Sequence, residues 1–456
     1  MINHNVLNGK KHIHFIGIGG SGMFPLAQIL HQKGFYLTGS DNNETETLEA
    51  VRAMGVPVVL GQKAENIEGA DLIVHTSAIM ADNPELIAAR ASGVPVLERK
   101  DLLGLVSTWY DNAICIAGTH GKTTTTAMTA QILHEWGNDF GCVIGGKLPA
   151  IGGSGRVGSS DIMVCEADEY VDTFLKLSPD IAVILNVDED HLEYFKTMDN
   201  MKKSFHTFAE NASKCVIYNG GDKNTCEAVA GISGKDVITI GWESSNDYYP
   251  VVLSHSGLTT RFEVYYNGEK LLETEMHVPG RHNVLNAVAA IAAARYVGVS
   301  ADVAAKGIEA FTGALRRFEK IAQINGVTIC DDYAHHPAEV AATLRSAREL
   351  GFKRLIAVHQ PFTYSRTFRL LNEFAEALSV ADEVVLTEIM GSREKNTYNI
   401  YSKDLAAKMD NCTLTPTFPE CVEYLKGHVK EGDLVITMGC GDIYKVAKSL
   451  AKELEL

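Results

Sequence analysis

The stretch Ala113-Ile-Cys-Ile-Ala117, followed by Gly118-Thr-His-Gly-Lys122 and Thr123-Thr-Thr-Thr126, decides the fold. The apolar run predicts a buried strand, and the turn after it leads into a helix-like stretch from Ala127 to Leu133. Backbone N–H groups of such a turn surround a phosphate, the lysine adds a positive charge, and Thr123 offers a hydroxyl to Mg²⁺. The spacing of the glycines is shorter than in the usual loop, but the order of Gly, Lys and Thr is preserved. The sequence therefore predicts a site for a nucleoside triphosphate.

Composition narrows the class of protein. The chain has 456 residues, too many for one core, and a net charge of −16, which argues against a broad nucleic-acid or anionic-membrane surface. It has no apolar run of about 18 residues and no segment shaped like a signal peptide. Its nine cysteines form no Cys-x-x-Cys pair, and several lie in apolar runs, as small buried side chains do in a reducing compartment. We expect a cytoplasmic protein with neither nucleic-acid nor membrane partners.

Short apolar runs alternate with helix-like stretches along three blocks of chain, which predicts an α/β fold with parallel, doubly wound sheets. We place three domains at 1–108, 109–314 and 315–456. The first and third are expected to be Rossmann-like, and the central one to be a P-loop ATPase domain. Between about 237 and 279 the pattern changes to short strands with a turn at Asn267-Gly268, which predicts a small antiparallel subsheet.

A second glycine-rich turn lies near the start of the chain. Gly17-Ile-Gly19-Gly-Ser-Gly22 follows a strand, opens a helix, and is followed by Asp41 at the end of the next strand. This is the dinucleotide fingerprint. Because such a turn binds any pyrophosphate, the residues alone leave open NAD, a nucleotide-linked substrate, or a turn needed only for helix packing.

Acidic residues follow the two strands after the phosphate turn. Glu166-Ala-Asp168-Glu169 ends one, and Asp188-Glu-Asp190-His191 ends the other. Ligands of parallel sheets lie at the carboxyl ends of strands, where a carboxylate is able to hold the Mg²⁺ that bridges nucleotide phosphates. We expect a metal site at Glu166 and a second one at His191.

Four further groups of residues are candidates. The string Gly280-Arg-His282-Asn283-x-x-Asn286 has two interpretations. The side-chain amides of Asn283 and Asn286 contact adenine, or Asn283 is an ordinary helix cap. Arg316-Arg317 is either a surface pair or a phosphate-binding arm. A solvated turn is improbable for Asp331-Asp332-Tyr333-Ala-His335-His336-Pro337, because this string holds two acids, a tyrosine and two histidines. A further candidate is Arg366 in Gln360-Pro-Phe-Thr-Tyr-Ser-Arg366, which is able to bind a carboxylate.

Taken in order, these motifs resemble the Mur ligases of bacterial cell-wall synthesis, along essentially the whole chain. Within that family, the glycine string at His14–Met23 and the string Asp331–Pro337 favour the branch that adds L-alanine. The other strings that match are His75-Thr-Ser-Ala-Ile79 with Asn83-Pro84, Gly118–Thr125, Glu166–Glu169, Asp188–His191, Gly280–Ala287, Arg316–Glu319, Gln360–Thr367 and Gly439–Ile443.

The resemblance implies a reaction and its participants. ATP phosphorylates the lactyl carboxylate of UDP-N-acetylmuramate, and the amine of L-alanine attacks the resulting acyl phosphate with two Mg²⁺ ions in the site. Lys122, His191, Arg317, His335 and Arg366 are implied as catalytic. The implied metal ligands are Thr123, Glu166 and His191, and the amino-acid site is Tyr333, His335 and Arg366. The UDP-sugar would contact Gly17, Gly19, Gly20, Ser21, Gly22, Met23, Ser40, Asp41, His75 and Ser77. ATP would contact Gly118, Thr119, His120, Gly121, Lys122, Thr123, Thr124, His282, Asn283, Asn286, Arg317 and Asp332.

Two positions depart from the family pattern. Family members commonly read His-Arg-Tyr where this chain has Phe362-Thr363-Tyr364, so a second arginine for the amino-acid carboxylate is absent. Glycine or L-serine therefore remain possible acceptors. Several relatives carry a carbamylated lysine where Phe205 falls in this chain, and its absence agrees with the alanine-adding branch.

Three other functions remain to be separated by experiment. One is a recycling ligase that adds a murein tripeptide to the same UDP-sugar. The others are an NAD-dependent oxidoreductase, which rests on the first glycine turn, and a regulatory NTPase that hydrolyses ATP without ligation. The sequence leaves open the oligomeric state, the extent of domain closure, which of His335 and His336 meets the substrate, and which of Arg316 and Arg317 meets the phosphates.

Overall fold

The computed structural model of the chain describes residues 6–20, 22–189, 192–392 and 394–455. It divides into two compact units. One comprises residues 1–251, 262–274 and 284–311, and the other comprises 252–261, 275–283 and 312–456. None of the helices in the described ranges is long and apolar enough to cross a membrane.

The first sheet is parallel throughout, with the order β3-β2-β1-β4-β5. Helix α2 begins at a Thr45 cap, whose hydroxyl accepts a hydrogen bond from the backbone N–H of Leu48, and α3 begins at an Asn83 cap. The strands are β1 (His12–Ile16), β2 (Tyr36–Asp41), β3 (Val58–Leu60), β4 (Leu72–His75) and β5 (Val96–Glu98), and the helices are α1 (Phe24–Gln32), α2 (Glu46–Ala53), α3 (Pro84–Ala91) and α4 (Arg99–Ser107).

The central sheet contains ten strands within the described residues, in the order β15-β14-β13-β12-β11-β10-β6-β9-β7-β8. Its strands are β6 (Asn112–Ala117), β7 (Gly141–Leu148), β8 (Gly153–Arg156), β9 (Ile162–Ala167), β10 (Ile181–Ile184), β11 (Cys215–Asn219), β12 (Asp236–Ile240), β13 (Tyr248–Ser256), β14 (Thr259–Tyr266) and β15 (Glu269–Met276). The helices are α5 (Lys122–Glu135), α6 (Leu192–Phe195), α7 (Met198–Asn211), α8 (Lys223–Val229), α9 (Arg281–Tyr296) and α10 (Ala301–Glu309).

The changed pattern near 237–279 corresponds to the last four strands of the central sheet along the chain, β12 to β15. Strand β12 is a parallel partner of β11, and β13, β14 and β15 continue the same sheet beyond it. Two-residue turns join β13 to β14 and β14 to β15, and such short connections impose antiparallel pairing. The hairpins are therefore the predicted small antiparallel portion, and they extend the central sheet at one edge.

The third sheet has the order β16-β17-β21-β18-β19-β20, and its pairs are parallel except for β16 against β17. Helix α11 begins with a capping box between His336 and Glu339. The strands are β16 (Glu319–Ile324), β17 (Val327–Asp332), β18 (Arg354–His359), β19 (Glu383–Leu386), β20 (Cys412–Leu414) and β21 (Asp433–Met438). The helices are α11 (Pro337–Arg348), α12 (Tyr364–Arg369), α13 (Leu371–Leu378), α14 (Ser402–Ala406), α15 (Phe418–His428) and α16 (Tyr444–Glu455).

The sheet order explains why the phosphate turn and the acidic strand ends meet. Strand β6 lies between β9 and β10, and all three run in parallel. Their carboxyl ends therefore carry the Gly118 turn, Glu166 and the residues after Ile184 at one edge. The alternating pattern of the sequence thus predicted the α/β fold and its parallel sheets correctly.

Candidate active site

The turn between β6 and α5 is a strained glycine loop. Gly118 has φ +144°, and Gly121, at the N-terminus of α5, has φ +84°. A Cβ atom on Gly121 would lie 2.7 Å from Oδ1 of Asn286, and one on Gly118 would lie 3.2 Å from the backbone nitrogen of Asn186. Only glycine adopts these angles without strain and leaves room for the neighbours. The loop therefore has the close backbone approach that a phosphate site needs.

Asn186 fixes the loop from the neighbouring strand end. Its Oδ1 accepts a hydrogen bond from the backbone N–H of His120 at 2.8 Å, and its Nδ2 donates to the carbonyl of His120 at 3.0 Å. The backbone N–H of Thr119 donates to the Asn186 carbonyl at 3.2 Å, and the Thr119 hydroxyl accepts from the N–H of Asp188 at 3.0 Å. Asn186 was missed as a site residue, although it ends an apolar run in the same way as Glu166.

Lys122 is held inside the loop by three acceptors. Its Nζ donates to the carbonyls of Gly118 at 2.6 Å and Thr119 at 3.3 Å, and to Oε2 of Glu169 at 2.8 Å. Burial lowers the pKa of Lys122, but the charges of Glu169 and Asp168 outweigh it, so the net pKa is raised. Lys122 is therefore a fixed cation at the N-terminus of α5, where a phosphate is also favoured by the helix dipole.

Thr123 and Glu166 form a pair of oxygen ligands next to this cation. The Thr123 hydroxyl lies 3.0 and 2.9 Å from the two carboxylate oxygens of Glu166. Oε2 of Glu166 also accepts from the backbone N–H of Gly145 at 2.8 Å, and a Cβ on Gly145 would collide with this carboxylate. Hydroxyl and carboxylate oxygens suit Mg²⁺, which takes its other ligands from water and phosphates. The pair thus fits the predicted metal.

The predicted second metal ligand, His191, lies outside the described residues, as does Ser21. Within the described ranges, no cluster of three or more His, Cys, Asp or Glu side chains has the geometry of a metal site.

The residues predicted to contact adenine divide between the two units. Asn286 is buried, with its amide against Gly121, so it belongs to the wall of the phosphate loop. Asn283 lies inside α9, and its Nδ2 donates to the Pro279 carbonyl at 2.6 Å. The alternative interpretation of Asn283 as a helix cap is therefore wrong. His282 is exposed, and Thr124 is half-buried in the first turn of α5.

The first glycine loop uses its acidic residue internally. Oδ2 of Asp41 accepts from the backbone N–H of Gly19 at 3.0 Å, and Oδ1 accepts from the N–H groups of Asn42 and Asn43. Asp41 thus shapes the loop, whereas a fingerprint acid would be aimed at a ribose. Gly17 has φ +82°, and a Cβ there would lie 2.7 Å from Cγ2 of Thr76. Glycine at this position is thus required by packing against Thr76, and binding of a pyrophosphate by the loop stays a prediction.

Arg99 is a cation that the sequence analysis missed. Its guanidinium lies 3.2–3.3 Å from the position of a Cβ on Gly22, so it faces the glycine loop from the start of α4. Nothing in its local sequence marks it, because the approach of α4 to the loop is a tertiary contact. A guanidinium beside a glycine loop is suited to the phosphates of a nucleotide.

Ser40, predicted as a substrate contact, belongs to a buried polar chain. Its hydroxyl donates to Oε2 of Glu85 at 2.7 Å, and Oε1 of Glu85 lies 2.6 Å from Nε2 of His14. Ser40, Glu85 and His14 are all at most 1% exposed. Ser40 therefore forms part of the buried hydrogen-bond network of the first sheet. Among the other predicted UDP-sugar contacts, Met23 is buried, Gly20 and His75 are half-buried and Ser77 is exposed.

Two adjacent arginines of the second unit have different surroundings. Nε of Arg316 donates to Asp331 at 2.9 Å, its Nη1 donates to the Gly441 carbonyl at 2.9 Å, and its Nη2 donates to the Gly439 carbonyl. Arg317 lies with its guanidinium 5.4 Å from the centre of the Tyr333 ring. The Arg316 guanidinium is also near the Tyr333 ring, at 5.1 Å. Arg316 thus holds the unit together, and the phosphate-binding role of Arg317 stays a prediction.

Asp332, predicted to contact ribose, is buried at the end of β17. Its Oδ2 accepts from the N–H of Phe318 at 2.8 Å, and its Oδ1 accepts from the N–H of Ala334 at 2.8 Å. Burial raises the pKa of Asp332, although the charge of Arg317 opposes the shift. The carboxylate links the chain just before β16 to the residue after Tyr333, and its role toward a ribose stays a prediction.

The two histidines of the Asp331–Pro337 string have separate tasks. His336 is the N-cap of α11, where its Nδ1 accepts from the N–H of Ala338. Nδ1 of His335 lies 3.1 Å from the Tyr333 carbonyl and 3.2 Å from Oε2 of Glu339. Burial lowers the pKa of His335 and the charge of Arg366 adds to this, while Glu339 opposes it. The role of His335 toward a substrate stays a prediction.

Arg366 follows a strained turn. Thr363, which precedes α12, has φ +65° and ψ 141°, a region that is close to exclusive to glycine. Within the described chain, Nη1 of Arg366 is buried and has no hydrogen-bond partner. A buried guanidinium nitrogen without an acceptor indicates a site for an anionic ligand such as a carboxylate.

Known protein families match this chain over most of its length. Three family descriptions match: "Mur ligase family, catalytic domain" over residues 12–109, "Mur ligase middle domain" over 116–294, and "Mur ligase, glutamate ligase domain" over 316–441. A UDP-N-acetylmuramate–L-alanine ligase of Agathobacter rectalis is 44% identical, with 97% of this chain and 98% of that protein covered.

Two solved structures are also similar. The UDP-N-acetylmuramate–alanine ligase of Thermotoga maritima has a TM-score of 0.82 at 30% identity, and covers 98% of this chain and 99% of its own. A murein peptide ligase of Psychrobacter arcticus has a TM-score of 0.74 at 26% identity, and covers 97% of this chain and 98% of its own.

Proposed function

Because the chain belongs to the Mur ligase family, we propose that it joins L-alanine to the lactyl carboxylate of UDP-N-acetylmuramate, with conversion of ATP to ADP and phosphate. The full-length similarity to relatives that carry this name is the observation on which the proposal rests. In this assignment residues 1–108 bind the UDP-sugar, 109–314 bind ATP and 315–456 bind the amino acid. The described cysteines are all free, in keeping with a reducing cytoplasm.

The reaction begins with the activation of a poor electrophile. A carboxylate does not react with an amine, so the γ-phosphoryl group of ATP is transferred to one of its oxygens. Lys122 and the N-terminus of α5 bind the phosphates, and Arg317 adds a second cation. Thr123 and Glu166, with His191, would hold Mg²⁺, which neutralises phosphate charge when it is bound. These groups lower the repulsion between the two anions that must meet.

The UDP-sugar is assigned to the first glycine loop. Backbone N–H groups of this loop and the guanidinium of Arg99 bind the diphosphate in this proposal. The alanine carboxylate pairs with Arg366, whose buried Nη1 lacks a partner within the described residues. His335 and Tyr333 border the amine. Attack of the amine on the acyl phosphate gives a tetrahedral intermediate that expels phosphate and leaves the amide.

The test is phosphate release from ATP and Mg²⁺ in the presence of UDP-N-acetylmuramate, screened against single amino acids and a murein tripeptide. We expect release that requires both the UDP-sugar and L-alanine, with a product heavier by one alanine residue. Glycine and L-serine are included because Thr363 replaces the common arginine of the family.

Other outcomes would replace the proposal. Preference for the tripeptide would make the protein a recycling ligase; the Psychrobacter relative is named a murein peptide ligase. Phosphate release without sugar and amine would indicate a regulatory NTPase, and a response to nicotinamide cofactors would indicate an oxidoreductase.

A further inference from the structure

Glu169 is a buried carboxylate inside the phosphate loop. It is 0% exposed, and its Oε2 lies 2.8 Å from Nζ of Lys122. We propose that Glu169 is a positioning residue, which holds the Lys122 ammonium in the orientation that meets the phosphates of ATP. This inference rests on the proposed ATP-dependent function.

The three donors of Lys122 are matched by three acceptors of unequal quality. The contacts with Gly118 O and Glu169 Oε2 are short, at 2.6 and 2.8 Å, whereas the contact with Thr119 O is 3.3 Å. A phosphate oxygen needs one of these donors, and the longest hydrogen bond is the weakest. The donor that faces Thr119 is therefore the one that turns to the nucleotide.

Lys122 is the main charge that favours the ionised form of Glu169. Burial raises the pKa of Glu169, and the charge of Lys122 is the main opposing effect. Its second oxygen, Oε1, is buried without a hydrogen-bond partner among the described residues. Loss of Lys122 would leave a buried, uncompensated carboxylate, which is strongly unfavourable. The pair is thus expected to persist when ATP binds.

The backbone after Glu169 is strained and is held by hydrogen bonds of Asp172. Val171 and Asp172 have φ +53° and +54°, angles that L residues rarely adopt and that are strained for a β-branched valine. The N–H of Asp172 donates to the Glu169 carbonyl at 3.0 Å. The Asp172 carboxylate accepts from the hydroxyls of Tyr194, at 2.6 Å, and Ser204. Strain maintained by several tertiary hydrogen bonds is typical of functional sites.

The experiment compares Glu169→Gln with the matched control Glu135→Gln. Glu135 lies on the same helix as Lys122, is exposed, and loses the same charge. The dissociation constant for ATP with Mg²⁺ is measured by calorimetry without other substrates, together with kcat and the KM of each substrate. Thermal melting of each variant establishes that it is folded.

For Glu169→Gln we expect a dissociation constant and a KM for ATP raised by about tenfold to hundredfold, as for the loss of a charged hydrogen bond. The KM values for L-alanine and the UDP-sugar should not change. A purely structural role would instead lower the active fraction, and hence kcat, without this selective change in ATP affinity. Glu135→Gln should match the unaltered protein.

Two results would overturn the inference. An unchanged ATP affinity would show that Lys122 needs no partner, and tighter binding would show that Glu169 competes with phosphate. Either result, obtained while the unaltered protein ligates L-alanine, leaves the proposed function intact. Failure of the unaltered protein to bind ATP would instead refute the proposed function itself.

Discussion

Replacement of His359 by phenylalanine should make the end of β18 more resistant to acid. His359 is 0% exposed, and its Nδ1 lies 3.1 Å from the Met438 carbonyl. A carbonyl only accepts hydrogen bonds, so Nδ1 carries the proton and Nε2 is a bare acceptor. Within the described chain, Nε2 has no partner. Burial, with a smaller effect of the His335 charge, lowers the pKa of His359 to about 4.

The sign of the pH effect follows from the two pKa values. In the unfolded chain the pKa is about 6.5. Above that value both states are neutral, and the group does not affect stability. As the pH falls from 6.5 toward 4, the unfolded state takes up a proton that the folded state refuses. This preferential protonation of the unfolded state lowers the free energy of unfolding by about 2 kcal/mol at pH 5 from this residue alone.

Hydrogen exchange of the peptide that contains β18, followed by mass spectrometry and corrected for intrinsic rates, measures the effect. At pH 7, His359→Phe should be as well protected as the unaltered protein or better by about 1 kcal/mol, because a buried orphan acceptor is removed. The Met438 carbonyl keeps the N–H of Gln360 as a donor, at 3.1 Å, so the change creates no new orphan. The Phe374 ring, 5.5 Å away, is a suitable neighbour.

The advantage of His359→Phe should grow by about 2 kcal/mol between pH 7 and pH 5. His134→Phe, at an exposed position on α5, serves as the control and should show no such growth. An equal difference between variant and unaltered protein at both pH values would refute the reasoning, since it would mean that His359 titrates alike in both states.

Three further predictions concern the site. Glu166→Gln should raise the Mg²⁺ concentration for half-maximal phosphate release by about tenfold to hundredfold, and an unchanged Mg²⁺ dependence would remove Glu166 from the metal site. Arg316→Ala should lower the free energy of unfolding of its unit by about 3 kcal/mol, because it leaves Asp331 buried without its partner. Arg317→Ala should lower the catalytic efficiency, because a phosphate-binding cation is lost, and an unchanged kcat/KM for ATP would remove Arg317 from the phosphate site. Thr363→Gly should raise the free energy of unfolding by about 1 kcal/mol, measured from the denaturation midpoint, because backbone strain is relieved. The KM for L-alanine should rise severalfold. A fall in the free energy of unfolding would show that the turn is not strained.

Local patterns in the sequence predicted much of the fold. The run Ala113–Ala117 became β6, Tyr36–Asp41 is strand β2, and the strand ends at Glu166 and Asp332 lie where the apolar runs stop. Such runs are readable because a parallel strand buried on both faces must be apolar along its length. The missed strands β7, β8 and β16 are rich in glycine or polar residues, and pairing with neighbours decided their conformation.

The sequence by itself determined the phosphate loop, because glycine torsions, a lysine and a helix N-terminus are all set within a few residues. It also determined which residue types line the strand ends. Only the tertiary structure decided which of these groups contact each other. It paired Lys122 with Glu169, brought Arg99 to Gly22, and committed Arg316 to Asp331. The physical reason is that a charge takes its partner from whatever lies within a few ångströms, and those neighbours come from distant parts of the chain.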